Sequence, residues 1–308
     1  MSNQLPNLRS NPSSNRQVEP VYIIIPVYNR KDTTLACIAH LEAIGDLARY
    51  HVVIVDDGST DGTAEAIAQA YPDYAQIHVL PGDGDLWWTG AIAKGMTYAH
   101  DQGARFLIWL NDDSLPAKGT LARLLEFMRS HPDTIAAPSC YAGEAKLENL
   151  QHNGFRGREG FAAKPGELLP VEGLSGWCVG MPIAVYDKIG APNAQKFPHY
   201  AGDDVYTFQA TKAGFKAFLL GDLTVELIGP VHAKLGFEDY FKPGSSAGAI
   251  FHNLFWHKKS PYRLPTRYFF FQERYGLWVG AALFATKLSF WLFRWAQLQL
   301  LLSLKIKS

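Results

Sequence analysis

A chain of 308 residues with 47% hydrophobic content and equal numbers of acidic and basic residues, 29 of each, is long enough to bury a large core and too apolar to be disordered over most of its length. Its three cysteines, Cys37, Cys140 and Cys178, are far apart and form no Cys-x-x-Cys pair, which argues against a disulfide framework or a zinc knuckle and for a reducing cytoplasm. The balanced charge hides an asymmetry: residues 1–240 carry 19 Lys/Arg against 28 Asp/Glu, and residues 241–308 carry 10 Lys/Arg against Glu273 alone. A basic segment rich in Trp, Phe and Leu suits an anionic membrane surface better than a nucleic acid, because its rings need an apolar phase.

Residues 1–19 are polar and lack the charged start and apolar stretch of a signal peptide, so they read as a flexible leader. Val21–Ile25 is a β-branched run that predicts a buried strand stopped by Pro26, which cannot donate to a ladder. A helix is predicted from Thr33 to Ile44, a second strand over His51–Val55 and a second helix over Thr63–Ala70. Gln76–Leu80 reads as a third strand, Thr89–His100 as a helix, Arg105–Leu110 as a fourth strand and Ala117–Ser130 as a helix with Leu121, Leu124 and Leu125 on one side. This alternation predicts an α/β fold with a mainly parallel central sheet flanked by helices. Ligands of such sheets lie beyond the carboxyl ends of the strands, where Asp57 and Asp113 fall.

Gly143–Gly173 has no clear periodicity and reads as a loop or lid. Gly176–Tyr186 and Phe215–Ile228 supply further strands, and Asp203–Ala213 a helix opening on two acidic residues, which suit the positive end of its dipole. From Tyr262 onward the chain becomes mostly apolar and aromatic, and Lys287, Arg294 and Lys305 interrupt its last part. Their spacings place all three near one helical line, and the uncharged stretches between them fall short of the roughly 20 residues of a spanning helix. The expected element is an amphipathic helix lying in the membrane interface; packing on the protein's own core is the alternative. No G-x-G-x-x-G follows a strand and no G-x-x-x-x-G-K-[ST] occurs, so dinucleotide and P-loop readings lose their main support. The organisation is thus a leader (1–19), an α/β domain (20–240) and a basic helical tail (241–308).

The most informative site feature is Asn111-Asp112-Asp113, which sets two carboxylates at the mouth of the fourth strand and reads as a metal and sugar-nucleotide site. Together with IIIPVYNR over 23–30, VDDGSTDGT over 55–63 and AGDDVYTFQATKAGF over 201–215, it resembles, in the same order, the motifs of family 2 glycosyltransferases with the GT-A fold. The resemblance covers about residues 20–235. It implies inverting transfer of a sugar from a UDP- or dTDP-sugar to a glycan or lipid-linked acceptor, with no role for nucleic acid.

By this resemblance Pro26, Tyr28 and Arg30 line the nucleotide pocket, and Asp57 accepts a hydrogen bond from the base imide. Asp113 binds Mg²⁺ or Mn²⁺, and Asp112 holds the ribose or a metal-bound water; a hard cation with oxygen ligands suits a diphosphate. Asp204 is the general base, with Asp203 as the alternative. His232 is a further metal or diphosphate ligand. Trp88, beside Trp87, is a stacking candidate for the donor, and Trp177 offers an apolar face to the acceptor. Residues 267–275, RYFFFQERY, are similar to a C-terminal pattern of bacterial rhamnosyltransferase-like members, which implies cell-surface polysaccharide synthesis on the inner face of the cell membrane. Two competing readings are a nucleotidyltransferase, which would want a Gly-rich basic phosphate loop after the first strand, and a non-catalytic nucleotide-sugar-binding protein at the membrane.

Overall fold

The computed structural model describes residues 19–229, 235–242 and 244–305. The first half alternates strand and helix as expected: β1 (Val21–Val27), α1 (Lys31–Ala43), β2 (His51–Asp56), α2 (Thr63–Ala70), β3 (Ile77–Pro81), α3 (Trp87–Asp101), β4 (Phe106–Leu110). Then come β5 (Ser114–Pro116), α4 (Thr120–Ser130), β6 (Thr134–Ala142), β7 (Leu150–Gln151), β8 (Gly154–Arg156), β9 (Glu159–Phe161), β10 (Leu168–Val171), β11 (Gly173–Leu174) and β12 (Cys178–Pro182). The rest is mainly helical: α5 (Ala184–Ile189), α6 (Gly202–Lys212), the long β13 (Lys216–Leu227), α7 (Ala247–Phe255), α8 (Leu264–Tyr275) and α9 (Leu277–Lys305).

The main sheet runs β10-β13-β6-β12-β4-β1-β2-β3. Its β4-β1-β2-β3 half is parallel, as is the β6–β13 pair, while β12 sits antiparallel between β4 and β6. Because both faces are covered, alternate residues of a strand feed different cores. Ile23, Ile25, Val52 and Ile54 pack under α1 and α4 with Ile38, Leu41, Leu121 and Leu124. Ile24, Val53, Val55 and Trp109 pack under α3 and α6 with Ile92, Met96, Tyr206 and Ala210. Each fully buried aliphatic side chain contributes roughly 1.5–3 kcal/mol.

Three expectations change. β1 does not stop at Pro26 but continues to Val27, with Pro26 in register with Val55. The β1–β4 pairing ends at Ile24↔Trp109, so the missing N–H falls where β1 has a partner on one side only. The 143–173 segment is not a structureless lid: β7 joins β6, β10 joins β13, and β8, β9 and β11 form a separate three-stranded sheet.

The tail, thirdly, is a helical hairpin and not one helix. Gly276, at φ 78°, turns the chain between α8 and α9. α8 lies alongside α6: Glu273 accepts from Lys196 and Gln209, and the Arg274 guanidinium rests over Phe155 and Phe208. Phe237, Leu254, Phe255 and Trp291 make a third small core that ties α7 to α9. No helix among the described residues is long and apolar enough to cross a membrane. Leu277, Trp278, Val279, Phe290 and Phe293 of α9 are instead exposed, Trp278 at 83%.

Candidate functional site

The site forms at the carboxyl ends of β1, β2 and β4 and the helix starts that follow. The three non-glycine residues with positive φ among the described residues, Asn29 (51°), Trp87 (58°) and Ala201 (67°), all lie there, just ahead of or opening α1, α3 and α6. Such backbone persists only where its surroundings over-determine it, and it clusters at functional sites.

At the end of β4, Asp112 is buried and Asp113 partly so. The Arg30 guanidinium spans both, with Nε 3.1 Å from Asp112 Oδ2 and Nη2 3.0 Å from Asp113 Oδ2, and Thr34 donates its hydroxyl to Asp112 at 3.2 Å. Burial pushes the Asp112 carboxyl up to about 6, against the pull of Arg30 and with the push of Asp113. Beside this fork is an open cavity of about 330 Å³ lined by Asn29, Arg30, Lys31, Asp32, Thr33 and Asp61. Asp61 ties its walls together, accepting from the Thr63 hydroxyl, at 2.5 Å, and from the Lys31 amide, at 2.9 Å; these bonds hold its carboxyl below the usual range. Tyr28 is 55% exposed, while Pro26 lies in the sheet.

Asp57, expected at a base imide, is already engaged. Its Oδ1 accepts from the amides of Gly84 (3.0 Å) and Leu86 (3.1 Å), and its Oδ2 from that of Trp87 (2.8 Å). Three N–H donors fill most of a carboxylate's acceptor capacity. Asp57 is therefore a latch that holds the 82–87 loop over the end of β2. Asp56 commits Oδ1 to the Ser59 amide.

Trp88 is likewise not a free stacking platform. Its indole N–H donates to Asn111 Oδ1 at 2.9 Å, its ring meets Trp109 edge to face, and a methyl at Gly176 would overlap it. Gly176 in turn gives its N–H to Asp203 Oδ2 at 2.7 Å. A continuous path of contacts, Asn111–Trp88–Gly176–Asp203, thus ties the acid pair of β4 to the start of α6. A methyl at Gly202 would overlap the Thr89 hydroxyl, so the starts of α3 and α6 approach as closely as a glycine permits. Burial lowers the pKa of the Arg267 guanidinium of α8, and Asp204, next in the same first turn of α6, lies near enough for its field to oppose that shift.

Trp177, expected at an acceptor, packs on the α1/α4 face of the sheet, the face opposite α6. Its carbonyl accepts from Asn111 N at 3.0 Å, which fixes the backbone and leaves the ring to the core. His232 lies outside the described residues. Among the described residues no group of three or more His, Cys, Asp or Glu side chains is placed to hold a metal. A hard cation on a diphosphate does not need one, since it takes one or two protein carboxylates and completes its shell with phosphate oxygens and water. Asp113, partly exposed at the strand end beside the open cavity, fits as such a ligand.

The Glycosyl transferase family 2 profile matches residues 22–190, more than half of the chain. The chain is a family 2 glycosyltransferase. Polyprenol monophosphomannose synthase of Mycolicibacterium smegmatis is 27% identical over 141 residues, 45% of this chain and 51% of that protein. Among solved structures, GalNAc-T7 with UDP, GalNAc and Mn²⁺ superposes with a TM-score of 0.60 at 12% identity, covering 82% of this chain and 50% of that one. The mannosyltransferase PcManGT of Pyrobaculum calidifontis, in complex with GDP-Man and Mn²⁺, gives 0.53 at 18% identity, covering 92% and 86%. These likenesses establish the GT-A fold. The chain spans about half the length of the mannose synthase and of GalNAc-T7.

Proposed function

We propose that this glycosyltransferase moves a sugar, with inversion, from a UDP- or dTDP-sugar to a glycan or lipid-linked acceptor in cell-surface polysaccharide synthesis. The observation that carries this reading is the contact path from Asn111 through Trp88 and Gly176 to Asp203, which holds a phosphate-side acid pair and an acceptor-side acid pair in one fixed frame. Fixed placement of this kind removes much of the entropy of bringing two substrates together.

In this reading the diphosphate lies by Asp113 and Arg30, where a bound Mg²⁺ or Mn²⁺ would neutralise the charge that develops as the bond to the sugar breaks. Asp113 would hold that ion, and Arg30, already bridging Asp112 and Asp113, orients the pair. With Asp57 occupied by backbone amides, Asp56 takes over as acceptor for the base imide and Asp57 shapes the wall beside it. Asp204 accepts the proton of the acceptor hydroxyl as its oxygen attacks the anomeric carbon; Asp203, bound to the Gly176 amide, positions the helix start. The exposed rings of α9 and the basic tail hold the enzyme on the inner face of the membrane, where lipid-linked acceptors reside.

Calorimetric titration with UDP, dTDP and GDP, each with Mn²⁺ and with chelator, tests the donor side. Binding of UDP or dTDP that weakens with chelator is expected. No binding of any nucleotide would overturn the donor assignment, and equal binding with chelator the metal's part in it.

A further inference from the structure

The 82–87 loop, seated against Asp56 and Asp57, is held from two sides. Gly82 and Gly84 give its backbone freedom, Gly84 at φ 87°. From the sheet, Asp57 takes the amides of 84, 86 and 87, and the Gly82 N–H donates to the Asp56 carbonyl at 2.6 Å. A methyl at Gly82 would overlap Asp57, so the loop rests directly on that residue.

The second hold comes from the tail. Lys258, in the connection between α7 and α8, brings Nζ to 2.6 Å from Asp85 Oδ2, 173 positions away. Asp85 Oδ1 accepts the Trp87 indole N–H at 2.9 Å, so one carboxylate joins the tail's ammonium to the loop's ring. Both bonds hold the Asp85 carboxyl below its usual range. The Trp87 ring meets His257 edge to face, with centroids 5.7 Å apart, and His199 at 5.8 Å. His199 belongs to the segment leading into α6, where the Pro198 carbonyl accepts from the Thr89 amide at 3.1 Å. Trp87 is thus a meeting point of the loop, the approach to Asp203 and Asp204, and the tail.

The tail's side of this contact is firm. The His257 N–H donates to the His252 carbonyl at 3.0 Å, and the buried Ser260 gives its hydroxyl to the Leu254 carbonyl and accepts from the Tyr262 amide. Leu254 and Phe255, just ahead, lie in the core shared with α9. The side chains of Lys258 and Asp85 are 37% and 66% exposed, so their ion pair adds little to global stability. On a loop with glycine freedom it acts instead on the balance between closed and open.

We propose that Lys258 and His257 are positioning residues of the donor site, holding the 82–87 loop closed through Asp85 and Trp87 as Asp57 holds it from the sheet. The proposal rests on the transferase reading above. It adds the tail, which lies outside the residues 22–190 matched by the family profile, to the parts that set donor affinity.

The test uses the full chain with Lys258→Gln, Lys258→Arg, Lys258→Gln/His257→Ala and, as a charge control, Lys259→Gln, whose exposed side chain makes no ion pair among the described residues. Amide exchange at 84–87 should accelerate about two- to fivefold in Lys258→Gln, the range of an exposed ion pair, and about tenfold in the double variant. Lys258→Arg and Lys259→Gln should exchange at the wild-type rate. Affinity for UDP or dTDP with Mn²⁺ should fall by the same factors when the changes are made in Asp57→Asn, where the weakened latch makes the closed fraction of the loop limit binding. Unchanged exchange in the double variant would overturn the proposal, as would equal acceleration in Lys259→Gln, or faster exchange with no loss of affinity in the Asp57→Asn background. Failure of the wild type to bind any nucleotide, with exchange still responding to Lys258→Gln, would instead reject the donor reading on which the role rests.

Discussion

Asp57→Asn separates a latch from a base contact. The substitution keeps the shape of the side chain and replaces one acceptor oxygen with an NH₂ group. If the carbonyl stays with Gly84 and Leu86, the NH₂ faces the Trp87 amide, donor against donor, and the 2.8 Å bond is lost. A hydrogen bond to a charged group contributes about 1.5–3 kcal/mol, and the two surviving bonds weaken when the charge goes. Trp87 also holds φ at 58°, a conformation that costs a bulky residue of order 1–3 kcal/mol and that the lost bond helped to impose. The loop carrying Trp87 should therefore loosen by about 2–4 kcal/mol. Amide exchange at 84–87 should accelerate on that scale, chemical denaturation should show a loss of stability, and nucleotide affinity should fall with them. A variant whose exchange and stability match the wild type, with only nucleotide affinity reduced, would refute the latch and return Asp57 to the base.

Asp46 is almost fully buried, and burial pushes its carboxyl up to about 6 with Oδ2 unpaired in the structure. A carboxyl raised in the folded state stabilises most below its unfolded value, near 4, and that contribution falls as pH rises through 6. Asp46→Asn should therefore gain up to about 2 kcal/mol at pH 8 and almost nothing at pH 4; equal effects in denaturation curves at both pH values would contradict this. Gly202→Ala, which drives a methyl into the Thr89 hydroxyl, should cost about 1–3 kcal/mol and reduce turnover more than nucleotide binding. Unaltered turnover would show that the α3–α6 approach does not matter. Replacing the exposed rings of Trp278 and Phe293 with Ser should weaken partitioning onto anionic vesicles by at least about thirtyfold without altering nucleotide affinity, each ring contributing of order 1–2 kcal/mol. An unchanged bound fraction at low salt would remove the membrane role.

The first half of the fold could be read from the chain because β-branched runs such as Val21–Ile25 and His51–Val55 alternate with helical composition, and because both faces of their sheet are covered. The 143–173 segment hid its strands because β8, β9 and β11 are two or three residues long, too short for any period to show. Gly276 is a lone glycine between Gln272-Glu273-Arg274-Tyr275 and the apolar stretch that opens at Leu277, and a single glycine in a helical pattern marks a break only weakly, so the hairpin it creates does not show in the sequence. At the site, residue types were legible but their partners were not. The role of Asp57 depends on backbone amides 27–30 positions away, which carry no side-chain signal. Trp88 and Trp177 are rings that either a sugar or a core could use, and only the packing of Gly176 and the α1/α4 face decides.

The most direct measurement is transfer from a radiolabelled nucleotide sugar by Asp204→Asn beside Asp203→Asn, each with nucleotide affinity measured on the same preparation. Loss of a general base lowers turnover by about 10²–10⁴-fold. Asn at 203 can still accept from the Gly176 amide. Asp204→Asn should lose turnover on that scale with nucleotide affinity intact, and Asp203→Asn should retain most of it. Wild-type turnover in Asp204→Asn, or its loss in Asp203→Asn alone, would contradict the assignment of Asp204 as the base.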